Sequence, residues 1–222
     1  MTRDQIAQRV SENLFDAGVV FWTISDIHDS IQDGYDEVAT LTECIEKVTS
    51  VNFASNRTYY NFRSLIPDYF RIIAIYNNVT NRWLIPNHLR EFDETSWRWE
   101  TLSGSVEFFA PCGFEWLALL RKPASATSNM LVFYKATANT LIGTDIPKIP
   151  VGGATLSTVD SILENFATGD LLQQALEYGK AERYNKLYLD QLELVKTLLN
   201  SRALPDRLYE LMIIGPETLV RA

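Results

Sequence analysis

The chain has 222 residues, 46% of them hydrophobic, 22% charged and 12% aromatic, a balance that supports a buried core and excludes a disordered chain. Its formal charge of −8, from 28 acidic and 20 basic residues, excludes a protein built to grip phosphate backbones, which takes clustered Lys and Arg. The densest basic stretch, 180–196, interleaves its Lys and Arg with Glu182, Asp190 and Glu193 and reads as a solvated helix face.

The first predicted element is a short helix over 2–14, where Ile6, Val10 and Leu14 are spaced by four and Asp16-Ala17-Gly18 ends the pattern. The polar start of this segment is unlike a signal core, and no apolar run approaches the ~18 residues of a membrane span. A cytoplasm-like compartment is therefore expected, with Cys44 and Cys112 as reduced thiols and the Asn-x-Thr triplets at Asn56 and Asn78 idle. Next, Ser25 stands where an N-cap belongs. Ile24, Ile27, Ile31, Tyr35, Val38, Leu41, Ile45 and Val48 then recur at three and four, predicting a helix over 24–48, about 36 Å long at ~1.5 Å per residue.

From Val51 to about Tyr134 the pattern turns to short β-type runs. Phe70–Tyr76 stops at Asn77-Asn78, and Val106–Phe109 stops at Pro111-Cys112-Gly113. Trp116–Leu120 and Met130–Tyr134 supply two more, separated by a polar turn over 124–129. Their near-continuous apolar character predicts sheets covered on both faces, by helices on one side and a neighbouring subunit on the other. Between them, 87–99 reads as a short helix and a loop. The segment 141–153, with Pro147 and Pro150, is an extended linker. A short helix to Thr168 follows, then a break at Gly169-Asp170 with Asp170 as cap. The stripe Leu171, Ala175, Tyr178, Ala181, Tyr184, Tyr188, Leu192, Val195 and Leu199 predicts a second long helix, packed against the first. Pro205 opens a last amphipathic piece before Gly215-Pro216.

The fold class expected from this order is α+β. A helical bundle of long antiparallel helices (1–50 with 151–202) carries an inserted β-rich, sandwich-like domain (51–150), and 203–222 forms a C-terminal docking arm. That arm concentrates Leu204, Leu208, Leu211, Met212, Ile213 and Ile214 in a piece too short to be stable alone. Folding back onto its own bundle is one way to bury it. The preferred one is docking on a partner.

Certain landmarks recur in a set order. They are the long helix opening at Ser25-Asp26, a strand entered through Leu65-Ile66-Pro67-Asp68-Tyr69-Phe70-Arg71-Ile72, and a Trp-rich loop at Trp97. Leu120-Arg121-Lys122-Pro123 and Leu131-Val132-Phe133-Tyr134-Lys135 come next, then Asp145-Ile146-Pro147 before two helices meeting at Gly169-Asp170. In this order, over roughly residues 1–200, the chain resembles the head-to-tail adaptor (connector) proteins of tailed bacteriophages. The resemblance implies a structural virion protein at the head-tail junction, made in the bacterial host cytoplasm. Such proteins form a ring, typically a dodecamer, below the portal protein, and provide the attachment site for a downstream tail protein, a nozzle or tail completion protein. Genomic DNA then passes through the channel without specific binding, and the six apolar residues of the arm meet the portal or the adjacent subunit. Beyond about Leu204 the resemblance ends. The 26 aromatic residues (11 Phe, 10 Tyr, 5 Trp) fit a ring component, because aromatics anchor interfaces, although each can equally fill a core.

Catalysis finds few parts. The sequence holds no Gly-x-x-x-x-Gly-Lys-Ser/Thr loop, no His-Glu-x-x-His and no Gly-x-Ser-x-Gly, and Gly152-Gly153 lies in a linker. His28 and His88 are its two histidines. Asp26, His28 and Asp29 fall in a helix's first turn, where acids favour the dipole, and Asp33, Asp36, Glu37 and Glu43 read as a wet helix face. The expectation is a non-enzyme with no catalytic residue, no cofactor, no metal and no membrane partner. The alternative is a monomeric protein- or carbohydrate-binding module using Trp83, Trp97, Trp99 or Trp116.

Overall fold

The structure is a computed structural model that describes residues 1–15, 21–124, 127–147 and 157–202. Two helices come first, α1 (Arg3–Asn13) and α2 (Ile24–Thr42). The strands β1 (Glu46–Phe53) and β2 (Tyr59–Asn61) lead to the one-turn helix α3 (Phe62–Leu65), followed by β3 (Tyr69–Asn77), β4 (Arg82–Trp83) and β5 (Ile85–Pro86). Helix α4 (Leu89–Thr95) and a 3-10 turn at Trp99–Thr101 precede β6 (Ser103–Gly104), β7 (Phe108–Cys112), β8 (Trp116–Leu119), β9 (Lys122–Pro123) and β10 (Thr127–Ala136). The helices α5 (Ser157–Gln174) and α6 (Tyr178–Arg202) close the described chain. The protein is thus mixed α and β. Its described residues divide into two compact units, one built from Met1–Ile45 with 137–147 and 157–202, the other from Glu46–Ala136.

In the helical unit, α5 packs against α1, α2 and α6. Helix α2 starts at Ile24 as the spacing predicts, but its N-cap is Thr23, two residues before Ser25. The Thr23 hydroxyl accepts from the Asp26 N–H, and the Asp26 carboxylate accepts from the Thr23 N–H at 2.9 Å, a reciprocal pair that satisfies two otherwise orphaned donors. The helix ends earlier than predicted, at Thr42 rather than Val48, where Glu43 takes the left-handed conformation (φ 48°). Val48, Thr49 and Val51 are β-branched and continue as strand β1. The change from helix to strand therefore precedes the expected boundary at 51, and the β unit ends at Ala136 rather than 150.

The expected break at Gly169-Asp170 is also moved. Helix α5 runs through both residues and ends in a Schellman motif around Leu176 (φ 61°), whose N–H donates to the Gln173 carbonyl while Glu177 N–H reaches Leu172. Gly169 serves close approach instead, since a Cβ there would collide with the Asn185 side-chain oxygen of α6. The predicted stripe consequently spans two helices. Leu171 and Ala175 belong to the α5 segment, Ala181, Tyr188, Leu192 and Val195 are buried on α6, and Tyr178 is exposed. Ile6 and Val10 of α1, Ile27, Ile31, Tyr35 and Val38 of α2, and Ile162, Leu163 and Ala167 of α5 complete the core. Two polar pairs cross it. Ser30 Oγ donates to Asp170 at 2.8 Å and Tyr188 donates to Glu37 at 2.8 Å, as the low dielectric requires.

The β unit holds two four-stranded sheets, ordered β1-β10-β3-β4 and β2-β8-β7-β5, and a β6-β9 pair. The first sheet is antiparallel throughout; in the second, β5 runs parallel to β7. Strand β7 does not stop before Pro111 as predicted but pairs through it to Cys112, and the hairpin turns at Gly113 (φ 67°). Phe53, Tyr60 and Phe62 form one aromatic core, with the Phe53 and Tyr60 rings 4.7 Å apart edge to face. Phe92 and Trp99 pack with Ala110, Ala118 and Leu120 in another.

Candidate interaction surfaces

Chain alternation decides what the first sheet shows to solvent. On β10, Met130, Val132 and Tyr134 are buried, so Leu131, Phe133 and Lys135 point the other way. Register then sets Val48 beside Phe133, and Tyr76 between Leu131 and Trp83. The Trp83 ring lies 5.0 Å from Tyr76 and 5.3 Å from Phe133. A register shift between Phe133 and Tyr134 leaves Ile73 outside the regular pairing. Val48 is 54% exposed and Trp83 37%, so within one chain this face of the sheet is left open.

The four tryptophans of the alternative reading separate. Trp99 is buried, with its indole N–H donating to Asp93 at 2.9 Å. Trp83 belongs to the sheet face. Trp97 is 79% exposed, with the Arg98 guanidinium 4.4 Å from its ring. Trp116 lines a shallow, open depression of about 380 Å³ with Asn56, Arg57, Thr58, Tyr59, Glu100 and Lys122. There the Tyr59 hydroxyl donates to Glu100 at 2.5 Å, and burial followed by that carboxylate pushes the Tyr59 pKa well above the ordinary phenol range. The structure does not bring these rings together into one platform.

The residues weighed for chemistry are dispersed. His28 Nε2 lies 3.3 Å from Asp4 Oδ1, yet burial, and then Arg3, hold its pKa below the ordinary value, outweighing Asp4. His88 is the N-cap of α4, its backbone N–H donating to Glu91 at 3.2 Å. Cys44 is buried in the helical unit; Cys112 sits in β7, its thiol pushed up by burial. Among the described residues, no three His, Cys, Asp or Glu side chains stand where they could hold a metal ion. No described helix is long and apolar enough to cross a membrane. The arm residues Leu204, Leu208, Leu211, Met212, Ile213 and Ile214 lie outside the described residues.

Two helix faces in the helical unit, read from the sequence only as solvated, carry opposite charge, and the apolar part of the second was missed. Opposite its buried stripe, α2 carries exposed Asp26, Asp29, Asp33 and Asp36. Helix α6 exposes Leu187, Leu189 and Leu194 beside Lys180, Arg183 and Lys186. Leu187 and Leu194, seven residues apart and off the buried line, were the available signal. Compared with known proteins, the chain matches no family model and no curated sequence.

Proposed function

We propose that this chain is a head-to-tail adaptor of a tailed bacteriophage. In this reading it is a helical bundle of long antiparallel helices carrying an inserted, sandwich-like β unit, and copies of it form a ring below the portal protein. The ring, of twelve copies by the resemblance, continues the DNA channel and offers its far side to a tail protein. The single observation that carries the reading is the chain's own order: its first 45 residues and the described residues between 137 and 202 make one helical unit while the intervening stretch makes another. The apolar residues exposed on the first sheet and on α6 support it, since a ring subunit needs surface to bury against neighbours. A charge of −8 per copy favours passage of DNA over capture.

Mixing the purified protein with the portal protein encoded in the same genome, and imaging the product by electron microscopy, tests the reading. The expected product is a portal carrying an added ring. A protein that ignores the portal and binds oligosaccharides as a monomer would instead support the binding-module reading, for which the depression at Trp116 is the one specific feature.

A further inference from the structure

The outer face of α6 lies open. Leu187 and Leu194 are 42% and 48% exposed, and Lys180 and Arg183 continue their line toward the helix N-terminus, with Lys186 alongside. Lys180 is held by Glu177 at 2.5 Å, but Arg183 and Lys186 have no acid partner among the described residues. On α2 the face opposite Ile27, Ile31 and Val38 is polar and acidic. Asp26 is engaged by its cap partner Thr23, whereas Asp33 and Asp36 have no cation among the described residues.

We propose that these two faces dock on each other between copies, the α6 face of one chain lying along α2 of the next. The proposal rests on the ring-forming reading above and names the surfaces through which neighbours meet. Charge complementarity argues for a second copy as the occupant. Both helices rise ~1.5 Å per residue, so laying them side by side in parallel sets Lys180, Arg183 and Lys186 against Asp26, Asp29 and Asp33. The same alignment brings Leu194 to Thr40 and to Leu41, which is 49% exposed, giving the leucine an apolar neighbour. Because the two faces differ, the contact is head-to-tail. Each copy keeps one face of each kind free for the next, which a closed ring requires and a two-fold dimer does not. Two positions are mismatched, Leu187 falling opposite Asp33 and Asp190 opposite Asp36, and the second supplies a gain-of-association test.

Sedimentation velocity of the full chain at low ionic strength reads the contact directly, with far-ultraviolet circular dichroism checking that each variant is folded. Self-association that weakens as salt rises is expected. Arg183→Glu with Lys186→Glu should weaken it roughly tenfold or more, as should Asp29→Lys with Asp33→Lys. Carrying all four changes in one chain should restore it, since every swapped face then meets a swapped partner. Asp190→Lys alone should strengthen it. A chain that stays monomeric even with Asp190→Lys, or a fourfold variant that does not recover, overturns the proposal. Failure of the adaptor reading looks different: the chain would associate through these faces and leave the portal bare.

Discussion

Ile31 is fully buried on α2 and Leu192 nearly so on α6, and neither has a polar group to lose. Truncating either to Ala removes apolar contact and leaves a cavity, at a cost of about 2–4 kcal/mol, to be read from urea unfolding. Gly34 is a different kind of residue. A Cβ added there would fall 2.5 Å from the Phe166 ring, which is itself packed edge to face on Tyr188 at 5.2 Å. Gly34→Ala should therefore be net destabilising: overpacking costs ~1–3 kcal/mol, and the gain in helix propensity is ~1 kcal/mol. Titrating residues add a pH signature. Burial pushes the Tyr60 phenol up from 10 to about 12, against the pull of Arg57. Burial, then the hydrogen bond to Asp68, does the same for Tyr134. The folded state thus holds these protons more tightly than the unfolded chain. That contribution is complete below pH 10 and is lost as pH rises toward 12, so Tyr60→Phe should flatten the alkaline fall in stability. At the acid end the sign reverses. Burial raises the Asp68 carboxyl, but Lys47 at 2.6 Å and the Tyr134 hydroxyl at 3.0 Å outweigh it and hold the pKa below 3.8. Its contribution is present above that value and disappears as pH falls through the lowered one, and Asp68→Asn should remove that part of the acid limb.

At the level of elements, the signals that reached through the sequence were the periodic ones. Ile27, Ile31, Tyr35 and Val38 mark α2, and Tyr188, Leu192 and Val195 mark α6, because a buried face repeats every three or four residues and little else in a sequence does. Ends were less legible. Thr23 and Ser25 are both good N-caps in isolation, and what selects Thr23 is the carboxylate of Asp26 reaching back to it, a pairing visible only as a spacing of three. Thr23→Ala should accordingly cost about 1 kcal/mol, while Ser25→Ala, two residues away and exposed, should cost little; thermal unfolding of the two variants compares them. Gly169-Asp170 misled for a physical reason. A glycine inside a helix is read as a break from sequence alone, whereas here it admits the Asn185 side chain, and the left-handed position that does end α5 is filled by Leu176, a residue type with no signal for it. The surfaces were the least legible of all. Which side of β10 faces outward depends on its register with β1 and β3, and a register is a property of pairs of strands.

For the molecule as a whole, net charge and chain path each make a prediction. With −8 on every copy, the purified protein should show no tight, salt-sensitive retention of DNA in a filter or mobility-shift assay. Chain path is the sharper probe. The β unit begins at Glu46 and ends at Ala136, and β1 and β10 pair antiparallel with Glu46 directly opposite Lys135. Paired residues in such a ladder stand only about 5 Å apart, so the polypeptide leaves the helical unit and re-enters it at neighbouring points. Replacing residues 46–136 with a few Gly and Ser residues would then close the gap without strain. If the helical unit owes its stability to its own core of Ile, Leu, Val and Tyr, the shortened chain should keep its helical circular dichroism and unfold cooperatively in urea. Stability should stay within a few kcal/mol of the corresponding transition in the full chain, the shorter loop even recovering some closure entropy. A shortened chain that is unfolded, or that melts without cooperativity, would mean that the first 45 residues and the last helices need the β unit to hold them together. The reading of the chain as a bundle with a self-contained insertion would then fail.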